Sequence, residues 1–133
     1  MEIVDIEDDS QTYNEPIVDI ADDNFMPIKA LNTFTRDWVI KARVAQKELR
    51  TTKNGGQLLK LELLDSHGTP IEATFFNEDA KNWSTQIEEN RVYTFSEGMV
   101  KLANKRFTSN NNDFCITFGR LTKIKPCVDN GSI

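Results

Sequence analysis

Apolar and polar positions alternate from Trp38 to Ala45, with Trp38, Ile40, Ala42 and Val44 on one face and Val39, Lys41 and Arg43 on the other. This is the period of a half-buried strand. Lys53-Asn-Gly-Gly56 reads as a turn, and Leu59, Leu61 and Leu63 then share one face of a second strand, Leu58–Leu64. A Ser66-His-Gly68 turn precedes a third strand, Ile71–Phe76. There Ile71, Ala73 and Phe75 are expected inward, and Glu72, Thr74 and Phe76 outward. A helix over 79–89 interrupts the strands: Asn77 is placed to cap it, Glu78 and Asp79 suit its positive end, and Ala80, Trp83 and Ile87 recur on one side. Asn90 is a natural stop. Strands resume at Val92–Phe95, Met99–Leu102, Arg106–Thr108 and Phe114–Leu121, the last with Phe114, Ile116 and Phe118 inward.

Many short strands, frequent turns and one late helix predict an all-β protein, a five-stranded antiparallel barrel plugged at one end by that helix.

The first 26 residues do not fit this pattern. They hold nine of the 21 acidic residues and none of the 16 basic ones. The remaining chain therefore carries 16 basic against 12 acidic residues, a balance of +4, and the overall −5 describes neither part. With so few apolar residues the acidic segment is expected to be a disordered tail. Ile3-Val-Asp-Ile-Glu-Asp-Asp9 nearly recurs as Ile17-Val-Asp-Ile-Ala-Asp-Asp23. The expected division is a tail over 1–26, one domain over 27–128, and a short tail or linker over 129–133.

Composition removes several function classes. No apolar run approaches the roughly 18 residues of a membrane span, and an acidic start is wrong for a signal peptide, so no membrane partner is expected. Cys115 and Cys127 form neither a zinc pattern nor a disulfide framework, which suits a reducing compartment. With His67 as the only histidine and no Gly-rich phosphate loop, neither a metal site nor a catalytic triad can be assembled. The expectation is a protein that is not an enzyme and carries no cofactor.

Two aromatics stand out against the alternation. Phe76 faces away from the core beside Phe75, and Phe107 lies among Lys101, Lys105 and Arg106. A three-residue loop at Ala103-Asn-Lys105 would pair Lys101 with Phe107 on one face, whereas a two-residue loop would pair Leu102 with it. Exposed rings beside cations suit unpaired nucleic acid, whose bases stack and whose phosphates carry charge. The cations available to track phosphates are Arg50, Lys53, Lys101, Lys105 and Arg106. Alternation leaves the other reading open: ordinary edge aromatics covered by the long loops.

Trp38-Val-Ile-Lys-Ala-Arg-Val, Ile71-Glu-Ala-Thr-Phe-Phe-Asn-Glu, Val92-Tyr-Thr-Phe-Ser and Lys101-Leu-Ala-Asn-Lys-Arg-Phe-Thr occur in an order that resembles the first high-affinity DNA-binding domain of the large subunit of replication protein A. The resemblance runs from about residue 27 to 128. It implies a Greek-key OB-fold, single-stranded DNA as ligand, a role in replication, repair and recombination, nuclear localisation, and other replication protein A domains or subunits as partners. It also implies that Phe76 and Phe107 stack on bases and that Arg50 and Lys101 line the groove. The full candidate set is Arg50, Thr51, Lys53, Asn54, Phe76, Asn77, Lys101, Lys105, Arg106 and Phe107.

The sequence departs from the family in places. Thr52 stands where the family usually has Trp, the loop through Lys53-Asn-Gly-Gly56 is shorter, Glu72 replaces an Arg of the groove and Cys115 replaces a Glu. These changes leave room for a telomere-specialised paralogue that prefers G-rich strands. The doubled Ile-Val-Asp-Ile resembles SUMO-interacting motifs, in which a short apolar strand joins a sheet edge. That similarity makes Ile3, Val4, Ile6, Ile17, Val18 and Ile20 candidate contacts for a SUMO-like partner, with a protein-interaction module as the alternative function.

Overall fold

The computed structural model describes residues 25–106 and 110–133. Residues 1–24 of the expected tail, with Ile3, Val4, Ile6, Ile17, Val18 and Ile20, lie outside the described residues, as does Phe107.

Five strands close into a barrel: β1 (Val39–Thr51), β2 (Gln57–Leu64), β3 (Pro70–Phe76), β4 (Val92–Leu102) and β5 (Phe114–Pro126), in the ring order β1-β2-β3-β5-β4. Four of the seams are antiparallel. The β3–β5 seam is parallel and short, running from Glu72↔Cys115 to Thr74↔Thr117, and it is the pairing that completes the ring. The expected inward residues fill the interior: Ile40, Ala42 and Val44, Leu59, Leu61 and Leu63, and Ile71, Ala73 and Phe75 are all buried. Phe118 anchors an aromatic cluster, with ring centroids 5.1 Å from Phe75, 5.8 Å from Phe95 and 6.4 Å from Trp38.

The helix α1 (Asn77–Ser84) covers one end. It differs from the expectation at both termini. Phe76 rather than Asn77 occupies the capping position, and Asn77 itself takes a left-handed φ of 55°. Its side chain serves the neighbouring loop instead, accepting the Gln57 amide at 3.3 Å. At the other end Ser84 Oγ and Thr85 Oγ1 donate back to the Lys81 and Asn82 carbonyls, an alternative to continuing the backbone ladder, and the helix stops before Ile87. Ile87 is buried all the same, its amide bonded to the Trp83 carbonyl.

Two more expectations are corrected on the β4 side. Val92–Phe95 and Met99–Leu102 are one strand, bent at Glu97, where φ is 61°. The hairpin expected at Ala103-Asn-Lys105 depends on Phe107, which is outside the described residues; Lys101 pairs with Cys115 on β5, and the Ala103 amide bonds to the Asp113 carbonyl at 2.8 Å. The connection from β4 to β5 leaves at Leu102 and returns at Phe114, and Arg106 within it lies in a turn and not in a strand. Side chains shape this connection from within: Asn104, Asn110 and Asn112 each accept the amide two residues on, which favours local turns over a ladder.

Candidate nucleic-acid interface

The outer face of β1, β2 and β3 is ordered in ranks by its register. Arg50, Leu58 and Phe76 form one rank; Glu48, Lys60 and Thr74 the next; Gln46, Glu62 and Glu72 the third. The β3–β5 and β5–β4 pairings extend the second rank to Thr117 and Met99, and the third to Cys115 and Lys101.

Both cations reach this face through an irregularity in their strand. In β1, Val44 pairs with Leu63 but Gln46 pairs with Glu62, so Ala45 is an extra residue. A bulge shifts the alternation by one. Unshifted, Arg50 would share the parity of buried Val44; shifted, it stands beside Leu58 and Phe76. In β4, Phe95 and Val100 are both buried although five positions apart, which requires a shift at Glu97. That shift turns Met99 and Lys101 outward. Gly98 is needed beside it, since a Cβ there would lie 2.6 Å from ring atoms of Phe118. The carbonyl of Glu97 accepts from Thr122 Oγ1 at 3.0 Å, and that hydroxyl in turn accepts the Gly119 amide at 2.9 Å.

Phe76 is 46 % exposed, an unusual state for a Phe on a rank with an arginine. The β1–β2 loop beside it is compact. Thr52 accepts the Gly56 amide on its hydroxyl at 3.0 Å and donates its own amide to the Gly56 carbonyl at 2.8 Å. Gly56 lies so close to Asn77 that a Cβ would meet Oδ1 at 2.5 Å. Thr51, Lys53, Asn54 and Asn77 are thereby gathered around the Arg50–Phe76 rank, with Lys53 and Asn54 exposed at the loop tip.

Lys101 is two ranks away, opposite Cys115. Burial pushes the Cys115 thiol above its ordinary value; the Glu72 carboxylate adds to this and Lys101 opposes it. Lys105 lies in the connection after β4, where it bonds to the Asn111 carbonyl at 3.0 Å and pairs with Asp113 at 3.1 Å. Arg50 lies 3.6 Å from Glu48, with both side chains more than half exposed, so this pair holds it only weakly.

Alternation in β2 could have identified Lys60 and Glu62, which the candidate set omits. Glu72 is the larger surprise. Its residue is only 7 % exposed although it points out of the barrel, and its nearest cation is Lys60 Nζ at 3.6 Å. Lys60 thus offsets the negative charge that Glu72 brings to the face.

Residues 29–132 match the family described as "Domain of unknown function DUF223". The chain is 41 % identical over 112 residues to the replication protein A 70 kDa DNA-binding subunit of Xenopus tropicalis, covering 81 % of this chain and 18 % of that protein. Its identity to the Gallus gallus subunit is 44 % over 108 residues, 78 % of this chain and 17 % of the relative. The chain thus spans less than a fifth of the length of these relatives. Among solved structures, it superposes with a TM-score of 0.75 and 35 % identity on a replication protein A heterotrimer bound to ssDNA, over 81 % of this chain and 26 % of that one. It also superposes on DNA-binding domain A of the Saccharomyces cerevisiae protein, with a TM-score of 0.60 and 29 % identity, over 80 % of this chain and 96 % of that one.

Proposed function

We propose, from the premise that this chain belongs to the DUF223 family and is a relative of the replication protein A 70 kDa DNA-binding subunits, that it binds single-stranded DNA across the face formed by β1, β2, β3, β5 and β4. The observation that carries this reading is the half-exposed Phe76 ring on one rank with Arg50. A flat ring accepts a base of any identity, and a cation beside it accepts the phosphate that follows. Phe76 and Phe107 are the stacking residues. Arg50, Thr51, Lys53, Asn54 and Asn77 engage the strand at one end of the face, and Lys101, Lys105 and Arg106 at the other.

Binding is without catalysis and without a cofactor. The unit that binds is residues 27–128, with 1–26 as a tail and 129–133 as a linker. The partners beside DNA are other replication protein A subunits, the process is replication, repair and recombination, and the compartment is the nucleus. A SUMO-like partner at Ile3, Val4, Ile6, Ile17, Val18 and Ile20 is a separate activity of the tail.

The test is a titration of the full chain against a labelled dT oligonucleotide, with duplex and RNA of equal length as competitors, at two salt concentrations. Single-stranded DNA should compete far better than duplex, with an affinity that falls steeply as salt rises. Equal competition by duplex, or no saturable binding, overturns the proposal.

A further inference from the structure

We infer that Glu72, assisted by Lys60, is a base-reading position of the single-stranded DNA face and selects guanine. The inference rests on the proposed function and adds a specificity to it. Glu72 is in the interior of the face, opposite Glu62 on β2 and Cys115 on β5, with Lys101 one strand beyond. Its Oε2 is buried and has no hydrogen-bond partner among the described residues. The nearest cation atom, Lys60 Nζ, is 3.6 Å from it, just beyond hydrogen-bond range. A buried carboxylate oxygen without a hydrogen-bond donor is an unfavourable arrangement, and such groups in native proteins are normally satisfied. Around it, Asn110 Nδ2 reaches Glu62 Oε2 at a long 3.4 Å. Both contacts are stretched enough for a ligand edge to replace them with shorter ones.

The chemistry of the ligand identifies that edge. Phosphates and deoxyribose along a DNA strand offer only acceptors, so a carboxylate in the path finds donors only on base edges. In a single strand the Watson–Crick edges are free. Guanine places N1–H and N2–H2 side by side, a match for the two oxygens of one carboxylate, and its O6 is an acceptor for the Lys60 ammonium. Cytosine and adenine bring one amine each. Thymine brings one N–H between two carbonyls, which face the carboxylate unfavourably.

The experiment walks a single dG, and then a single deoxyinosine, through a dT oligonucleotide bound by the full chain. At one register dG should tighten binding by about fivefold or more over dT, the scale of a bidentate base contact. Deoxyinosine, which lacks only the 2-amino group, should lose most of that gain. This comparison needs no variant protein. Glu72→Gln, checked for folding by its melting curve, should bring dG and dT within about twofold of each other. Saturable binding with a flat base profile, or a dG preference that persists in Glu72→Gln, overturns this inference alone. Absence of binding to every oligonucleotide overturns the proposed function with it.

Discussion

Arg50 and Phe76 share one rank of the barrel's outer face, joined through Leu58, because the extra residue at Ala45 reverses the alternation of β1 before it reaches Arg50. With strands about 4.8 Å apart, the two side chains rise from backbones roughly 10 Å apart. That spacing suits one unit of stacked base and trailing phosphate.

The ring of Phe76 is expected to contribute stacking and little stability. Phe76→Ala should weaken binding of a dT oligonucleotide by about 1–3 kcal/mol, while the melting temperature stays within a few degrees of the parent. Phe76→Trp should keep most of the affinity. If Phe76→Ala melts early and the folded fraction binds normally, the ring belongs to the core.

Arg50 and Lys101 occupy different ranks and should act independently. Each Ala variant should weaken binding to all sequences alike and lower the slope of log K against log salt by about one. Because the sites share no side-chain partner, the double variant should show the sum of the two losses. A slope unchanged in either variant removes that residue from the phosphate path.

Much of this arrangement is legible in the alternation of residues. The interior is given by Ile40, Ala42 and Val44, by the three leucines of β2 and by Ile71, Ala73 and Phe75, because a strand with one buried face states its register directly. What alternation cannot state is where it slips. The bulge at Ala45 carries no sequence mark, since any small residue tolerates it, and Gly98 identifies its own bend only once Phe118 is known to lie beneath it. The connection from β4 to β5 is less legible for a different reason: the chain turns at Arg106, where a strand is expected to start, and the side chains of Asn104, Asn110 and Asn112 capture the backbone amides two residues on. The burial of Glu72 depends on neighbours from other strands and has no local signature.

Gly98 should prove necessary to the fold. Gly98→Ala puts a methyl 2.6 Å from two ring carbons of Phe118 and 2.9 Å from Ile116 Cγ2, all in the packed interior. Overpacking of this kind costs about 1–3 kcal/mol, which a urea midpoint will read. Gly119→Ala is the control, since a Cβ there meets nothing within 4 Å. Equal midpoints for the two variants would mean that the Phe118 ring moves aside freely.

Cys115 reports on the same face through its thiol. Burial and the Glu72 charge hold its pKa above the ordinary 9.0, and Lys101 pulls the other way. Only the thiolate alkylates, so at pH 8 Cys115 should react with iodoacetamide more slowly than free cysteine. Glu72→Gln removes a raising charge and should speed the reaction; Lys101→Ala removes a lowering one and should slow it. Peptide mass spectrometry separates Cys115 from Cys127, and saturating dT oligonucleotide should protect Cys115. Faster reaction than free cysteine, or no protection by DNA, contradicts this placement.

The acidic tail should compete with DNA for the face. Nine carboxylates within residues 1–26 adjoin a remainder of net +4, so Coulomb attraction should favour transient contact of the tail with the cations of the face. Deleting residues 1–24 should therefore tighten DNA binding at low salt. At high salt the Debye length shrinks to a few ångströms, and the full and shortened chains should converge. A SUMO-like partner that engages the two Ile-Val-Asp-Ile segments would draw the tail away and produce the same gain without deletion. That partner should shift the amide resonances of Ile3 and Ile17, and Ala at both positions should abolish the shift and the gain together. Equal affinities with and without residues 1–24 at low salt would exclude competition, and an unperturbed spectrum would exclude the partner.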